Sequence, residues 1–513
     1  MTGTITNASQ HAPPDGQLVD VCIVGSGSAG ATTAWELARA GRDVLVLEEG
    51  GDYTGSQLTQ RDAAMYDQLY MDRGGRSTTD LSITVLQGRV LGGGGVINAS
   101  DVVPIGDPVL RHWQRRYGLA DFSPEAMSPY RELALADLSV NLPTEAQLNV
   151  NNRLLREGAQ ALGWRGEVMQ HNRVGCLGLG TCLIGCPVNA KRNPRFVAIP
   201  AALAAGARFV LRARAVRVEH ANDEIKTVHV RALDARGYHE GAAFTVRART
   251  VILAANAIAS TQLALRSGIG NAHVGQHVSL QPQLPVTAQF DTEVRAFRGI
   301  PQSYAVTEFE TLDDATHGWW GFRIEAIGGT PGIAASLLPA FGREGKELMR
   351  QYPYTASALL LTPDDATGRV RVESNGRLRI DYALSDEQKA RMRHAIRATA
   401  RLYLAAGARR VLVPVMPPLV ISSLAELSRV EAVPFRTASA PFLSAHQQGG
   451  LRMAASPRDG ATDPTGLLYG TRGVYAFDSS VYPSSASSHT MTPIITTSRY
   501  LARALLARLP ARA

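Results

Sequence analysis

VDVCIVGSGSAGATTAWELARAGRDVLVLEEG, residues 19–50, decides the fold. Residues 19–24 are apolar and rich in β-branched side chains, the pattern of a strand buried on both faces. Gly25, Gly27 and Gly30 then spell GxGxxG at the turn into a helical stretch that stops at Gly41. Residues 43–50 form a second apolar strand ending in Glu48 and Glu49. Strand, glycine turn, helix and strand together predict a nucleotide-binding βαβ unit. The first glycine makes the tight turn, and the second lets backbone approach a pyrophosphate. The third lets the helix pack on the strand, and the helix N-terminus at Ser28 attracts phosphates. Glu48 stands where an acid accepts ribose hydroxyls, and Glu49 beside it could do the same. The motif does not separate FAD from NAD.

The 513 residues fit two or three domains at roughly 150 residues each. With 45% hydrophobic residues the chain can bury a large core without disulfides or a structural metal. The net charge of +8 is no nucleic-acid signal. Its basic residues are scattered arginines with only four lysines, so the clustered basic face of a nucleic-acid binder is missing. The first 17 residues read as a polar leader without the basic start and apolar core of a signal peptide. No run reaches the roughly 18 apolar residues of a membrane span, and a cytoplasmic location is expected.

Further along, GRVLGGGGVINAS (88–100) is a glycine-dense turn. With no side chains at Gly93 and Gly94, backbone N–H groups can approach a cofactor closely. Asn98 offers a donor and an acceptor. GCLGLGTCLIGCPVNAK (175–191) carries Cys176, Cys182 and Cys186 as C-x5-C-x3-C-P. The residues allow an iron–sulfur loop, a zinc site with His171 as a fourth ligand, or free or disulfide-prone thiols. Cys22 lies in the first strand and reads as packing. From 283 to 440 strand-like runs alternate with helices. There His317, Trp319, Trp320 and Phe322 read either as a pocket lining or, more simply, as one half-buried core strand.

Four segments in order resemble the glucose–methanol–choline (GMC) oxidoreductases. They are 19–50, GRVLGGGGVINAS, VILAANAIASTQLALRSGIG (251–270) and the stretch from His446 to Leu501. The resemblance implies an α/β fold: a Rossmann-like FAD-binding domain and a substrate domain with an antiparallel sheet flanked by helices. The FAD-binding domain would comprise 18–105, 196–282 and 441–513. The substrate or cap domain would comprise 106–195 and 283–440. It further implies FAD-dependent oxidation of an alcohol to a carbonyl, with O2 or an electron-acceptor protein reoxidising the flavin. Arg89, Asp478 and Ser479 match positions at the cofactor, and Val216 matches one whose backbone contacts adenine. Ile97 replaces the histidine that attaches FAD covalently in some relatives, so FAD is expected to be non-covalent.

In the same family the catalytic base is a histidine in a segment like HQQGGLRM, which gives His446. The second catalytic position falls in SSHTMTP, which gives His489. A neutral imidazole can take the hydroxyl proton, and a second polar group can hold the oxygen as charge develops. The cysteine loop resembles that of relatives with a 3Fe-4S cluster, which would make the enzyme a dehydrogenase with a cytochrome or quinone partner. It also resembles the loop of long-chain alcohol oxidases. Hydroxynitrile lyases share the fold, so a lyase is a further alternative.

Overall fold

The computed structural model describes residues 2–11, 14–220, 224–311, 320–486 and 489–509. The opening strand, Gln17–Val24, lies at the centre of an eight-stranded sheet. It pairs in parallel with Val44–Leu47 on one side and Glu240–Leu253 on the other. The helix Ser28–Arg39 makes the crossover, burying Ala31, Ala34 and Leu37. The βαβ unit is therefore formed as read. The final helix, Met491–Leu506, packs beside it, and buried Glu36 pairs with Arg499 and Arg503 at 3.0 Å each. Those ion pairs tie the first helix to the last.

Seven strands of a second, nine-stranded sheet run Leu419–Ile421, Arg410–Val413, Gln283–Gln289, Thr355–Leu361, Arg323–Ala326, Tyr304–Val306 and Gly166–Val168, each antiparallel to its neighbours. Successive side chains of a strand point to opposite faces. Leu284, Val286 and Ala288 accordingly enter a core with the helix Asp386–Ala405. Gln283, Pro285, Thr287 and Gln289 face a large cavity between the two sheets.

Three placements differ from the sequence expectation. Ile5–Asn7, inside the stretch read as a polar leader, is a strand that pairs in parallel with Arg208–Leu211. Ala8 is buried beside it, so three residues of edge pairing and a small apolar contact suffice to anchor the segment. The helices Asp107–Tyr117 and Pro124–Asp137, read with the cap, bury Trp113 and Met127 in the first core. Ile83–Val85 and Phe442–Ser444, read with the nucleotide domain, pair with each other and join the second sheet. Short strands far apart in sequence carry no local signal of their partner.

The aromatic group resolves toward packing. Phe322 is buried and stacks on Phe309 with ring centroids 4.6 Å apart. Trp320 lies under the Arg391 guanidinium at 3.5 Å. Neither lines the cavity. His317 and Trp319 lie outside the described residues.

Candidate active site

The cavity measures about 650 Å³. One wall is made of glycine turns. Gly93 has φ +59°, and a Cβ there would sit 2.7 Å from the Gly27 Cα. The two turns thus meet backbone to backbone, helped by Gly92 N donating to Ser26 Oγ at 3.3 Å. Gly94 has open space on its Cβ side and lines the cavity. Gly93→Ala is therefore expected to give insoluble or flavin-free protein. Gly94→Ala, whose Cβ meets no protein atom but enters the cavity, should keep the wild-type melting temperature and purify with less flavin. A wild-type melting temperature in Gly93→Ala would refute this packing.

Gly25, Gly27, Ser28 and Glu48 all line this wall, while Gly30 packs so closely that a Cβ would lie 1.9 Å from the Gly25 carbonyl oxygen. Glu48 accepts from Ser26 N at 3.0 Å, Ser26 Oγ at 2.6 Å and Gly50 N at 2.7 Å. Burial pushes its carboxyl up, against these hydrogen bonds. Glu49 instead pairs with Arg214 at 2.8 Å. Arg89 donates to the Gly237 carbonyl at 2.7 Å and stacks over Tyr238, bracing the wall while still bordering the cavity. Val216 is a correction: it lies away from this cavity, and Ala213, Arg214 and Ala215 are the residues of its strand that reach it. A register shift between Ala215 and Arg217 turns the strand at that point.

Asn98 donates to the Met491 sulfur at 3.3 Å, and its buried Oδ1 has no partner among the described residues. An unsatisfied buried acceptor on a cavity wall marks a place for a polar ligand group. Asp478 accepts from Ser480 N at 2.8 Å and from the Ser260 hydroxyl, and burial pushes its carboxyl up. Ser479 Oγ donates to the Gln447 carbonyl at 2.9 Å. Both residues border the cavity.

His446 and His489 meet on the opposite wall, ring centroids 5.0 Å apart at 78°. His446 Nδ1 lies 2.9 Å from Gln281 Oε1 and 2.8 Å from Gln283 Nε2. One glutamine accepts and the other donates, so the ring can hold either tautomer. Burial and the neighbouring His489 charge hold His446 down at about 3, so it is neutral. His489 has a carboxylate on each side: Nδ1 is 2.6 Å from Asp101 and Nε2 is 2.8 Å from Glu325. Burial alone would lower it, but the two carboxylates outweigh burial and raise it to about 10. It is an imidazolium with both N–H groups used. With both N–H groups bound to carboxylates, neither is left to donate to a substrate oxygen.

Sequence reasoning missed Asp101, Glu325, Gln281 and Gln283. Glu325 alone left a signal, as an acid in a strand whose every residue is buried. Gln281 is held by buried Asp364, which accepts from its backbone N at 3.0 Å and from Leu280 N at 2.9 Å.

The cysteine loop stands apart. Its three half-buried thiols form no disulfide. They are not among the described groups whose three donor atoms lie within 4.8 Å, as a single ion requires; only Asp101, Glu325 and His489 are. Buried Lys191 ties the loop to the flanking turn, donating to the carbonyls of Cys182, Val96 and Asn98 at 2.8, 2.6 and 2.9 Å.

The chain is similar to known protein families. Family models described as GMC oxidoreductase match residues 66–283 and 363–498. A model of an NAD(P)-binding Rossmann-like domain matches residues 23–84. An uncharacterized GMC-type oxidoreductase of Mycobacterium tuberculosis is 34% identical over 94% of this chain and 77% of its own length. The chain belongs to the GMC oxidoreductases. A long-chain-alcohol oxidase of Arabidopsis thaliana is 25% identical over 95% of this chain and 69% of its own. The fold is shared with pyridoxine 4-oxidase from Mesorbium loti, with a TM-score of 0.71 at 17% identity over 96% and 100% of the two chains. Formate oxidase of Aspergillus oryzae matches with 0.71 at 15% over 97% and 99%. This GMC chain is thus an oxidoreductase of an FAD-binding family. Among its described residues no helix is long and apolar enough to cross a membrane.

Proposed function

We propose that this protein oxidises an alcohol to a carbonyl compound, with His446 as the base. The observation that carries the proposal is the neutral His446 set against the cationic His489 on one wall of the nucleotide cavity. The open backbone of Gly94, the unpaired Asn98 Oδ1 and the glycine wall from Gly25 fit FAD without a covalent link. FAD, when bound, supplies the hydride acceptor. His446 takes the hydroxyl proton on Nε2 while Nδ1–H donates to Gln281 Oε1. His489 lowers the energy of the negative charge that develops on oxygen as the proton leaves. Gln281 fixes the imidazole ring in that tautomer, and Asp101 and Glu325 keep His489 charged.

Flavin bleaching by a primary alcohol under anaerobic conditions tests the proposal. Turnover without bleaching would turn the reading to a lyase. The electron acceptor is O2 or a partner protein. A 3Fe-4S cluster on Cys176, Cys182 and Cys186 draws no support from the relatives, and an iron and sulfide assay decides it.

The pH profile should be broad. His446 stays neutral above about 3 and His489 stays charged below about 10. Stopped-flow kcat/KM is expected to be flat from roughly pH 4 to 9, falling above as His489 loses its proton. An acid limb near the ordinary histidine value would mean that burial and the His489 charge do not hold His446 low.

A further inference from the structure

Gln283, Pro285, Thr287 and Gln289 occupy alternate positions on one strand, and all four line the cavity. Their register partners extend the floor sideways. Pro285 lies opposite Leu359, Thr287 opposite Ser357 and Leu412, and Gln289 opposite Thr355 and Arg410. Each of these partners also lines the cavity. The floor is therefore a ladder that starts at His446, which touches Gln283, and ends at Arg410. Six residues of strand span about 20 Å.

The chemistry changes along the ladder. Its second rung, Pro285 with Leu359, is apolar, and its third sets Leu412 beside the hydroxyl side chains of Thr287 and Ser357. The roof over the floor is also apolar: Ile333 and Leu337 come from the helix Pro331–Leu337, and Leu348 and Met349 from Gly342–Arg350. The last rung is polar. Arg410 Nε donates to Gln289 Oε1 at 2.6 Å, and Gln289 Nε2 donates to Gln351 Oε1 at 2.9 Å. Among the described residues no carboxylate pairs with Arg410, while the adjacent Arg409 pairs with Asp291 at 3.3 Å. An arm with an apolar roof and, at its far end, a cation without a carboxylate partner among the described residues describes its ligand.

We propose that the preferred substrate is a chain alcohol with a carboxylate at its far end, a long-chain ω-hydroxy acid. The hydroxyl lies at His446, the methylenes lie on the Pro285–Leu359 rung under the leucine roof, and the carboxylate meets Arg410. With C–C bonds of about 1.5 Å, an extended chain gains roughly 1.3 Å per carbon, so the arm suits about 15 carbons. This rests on the alcohol-oxidation reading above.

The test compares ω-hydroxyhexadecanoate with its methyl ester on the FAD-loaded enzyme. The two have the same chain and differ in one charge. A mouth-exposed ion pair predicts a kcat/KM preference for the acid of about three- to sevenfold, carried by KM and weakened by salt. Arg410→Gln should bring the acid-to-ester ratio to about one, and Arg410→Lys should retain part of it. Equal rates for acid and ester in the wild type, or a preference that survives Arg410→Gln, would overturn the proposal. If the ester and hexadecanol bleach the flavin while the acid does not, the alcohol reading stands and this one fails. If none of the three bleaches it, both fail.

Discussion

His446→Ala is expected to slow flavin reduction by alcohol about 10²- to 10⁴-fold, the range for a lost general base, while FAD stays bound. The side chain borders the cavity and contacts the amides of Gln281 and Gln283 and the His489 ring. None of those belongs to the glycine wall, so truncation leaves the Gly25, Gly27 and Gly93 turns as they are. The two glutamine amides lose one shared partner and can bond each other or water entering from the cavity. Fold and cofactor content should therefore survive. The readout is twofold: flavin absorbance per chain, then anaerobic stopped-flow bleaching. Loss of flavin on purification would make His446 a structural residue. Bleaching at the wild-type rate would require another base, and among the described cavity groups no other neutral imidazole is available.

The nucleotide half was legible because its signals are local. Apolar strands, a GxGxxG turn and a helix within 32 residues fix one another by sequence distance alone, and the glycines announce close backbone approach. The histidine pair was legible through resemblance, since a lone histidine carries no such pattern. What escaped was everything that depends on chains meeting from afar. Asp101 and Glu325 converge on His489 from three separate segments. Gln281 and Gln283 are ordinary residues until the fold sets them against His446. The substrate ladder is visible only once Gln289 is placed opposite Arg410, more than a hundred residues away in the chain. Val216, a position carried over by resemblance, lies away from the cavity that its strand neighbours Ala213, Arg214 and Ala215 line.

Asp101→Asn should damage both stability and rate, with a pH signature that separates electrostatics from packing. Asn keeps the shape of the side chain and removes the charge beside His489 Nδ1. His489 is held at about 10, above its ordinary 6.5, so its contribution to stability is fully present below 6.5 and lost as pH rises through 10. Asp101 is held at about 2: burial alone would raise it, and the His489 charge outweighs that. Its contribution is present above 3.8 and lost as pH falls through 2. The pair thus stabilises most between about pH 4 and 6.5 and weakens steadily toward alkaline pH. In the variant only Glu325 supports the imidazolium, so the His489 value falls toward its ordinary one and this slope shrinks. At pH 6 the loss should be on the order of 3 kcal/mol, the low end for a broken buried pair because one carboxylate remains. By pH 9 the two proteins should unfold at urea concentrations much closer together. The rate should follow the same charge: at pH 8 flavin reduction should drop by roughly tenfold as His489 becomes neutral in part of the molecules. Lowering the pH to 6 should restore much of it. A rate deficit independent of pH would assign Asp101 to packing and leave the His489 charge without a catalytic part.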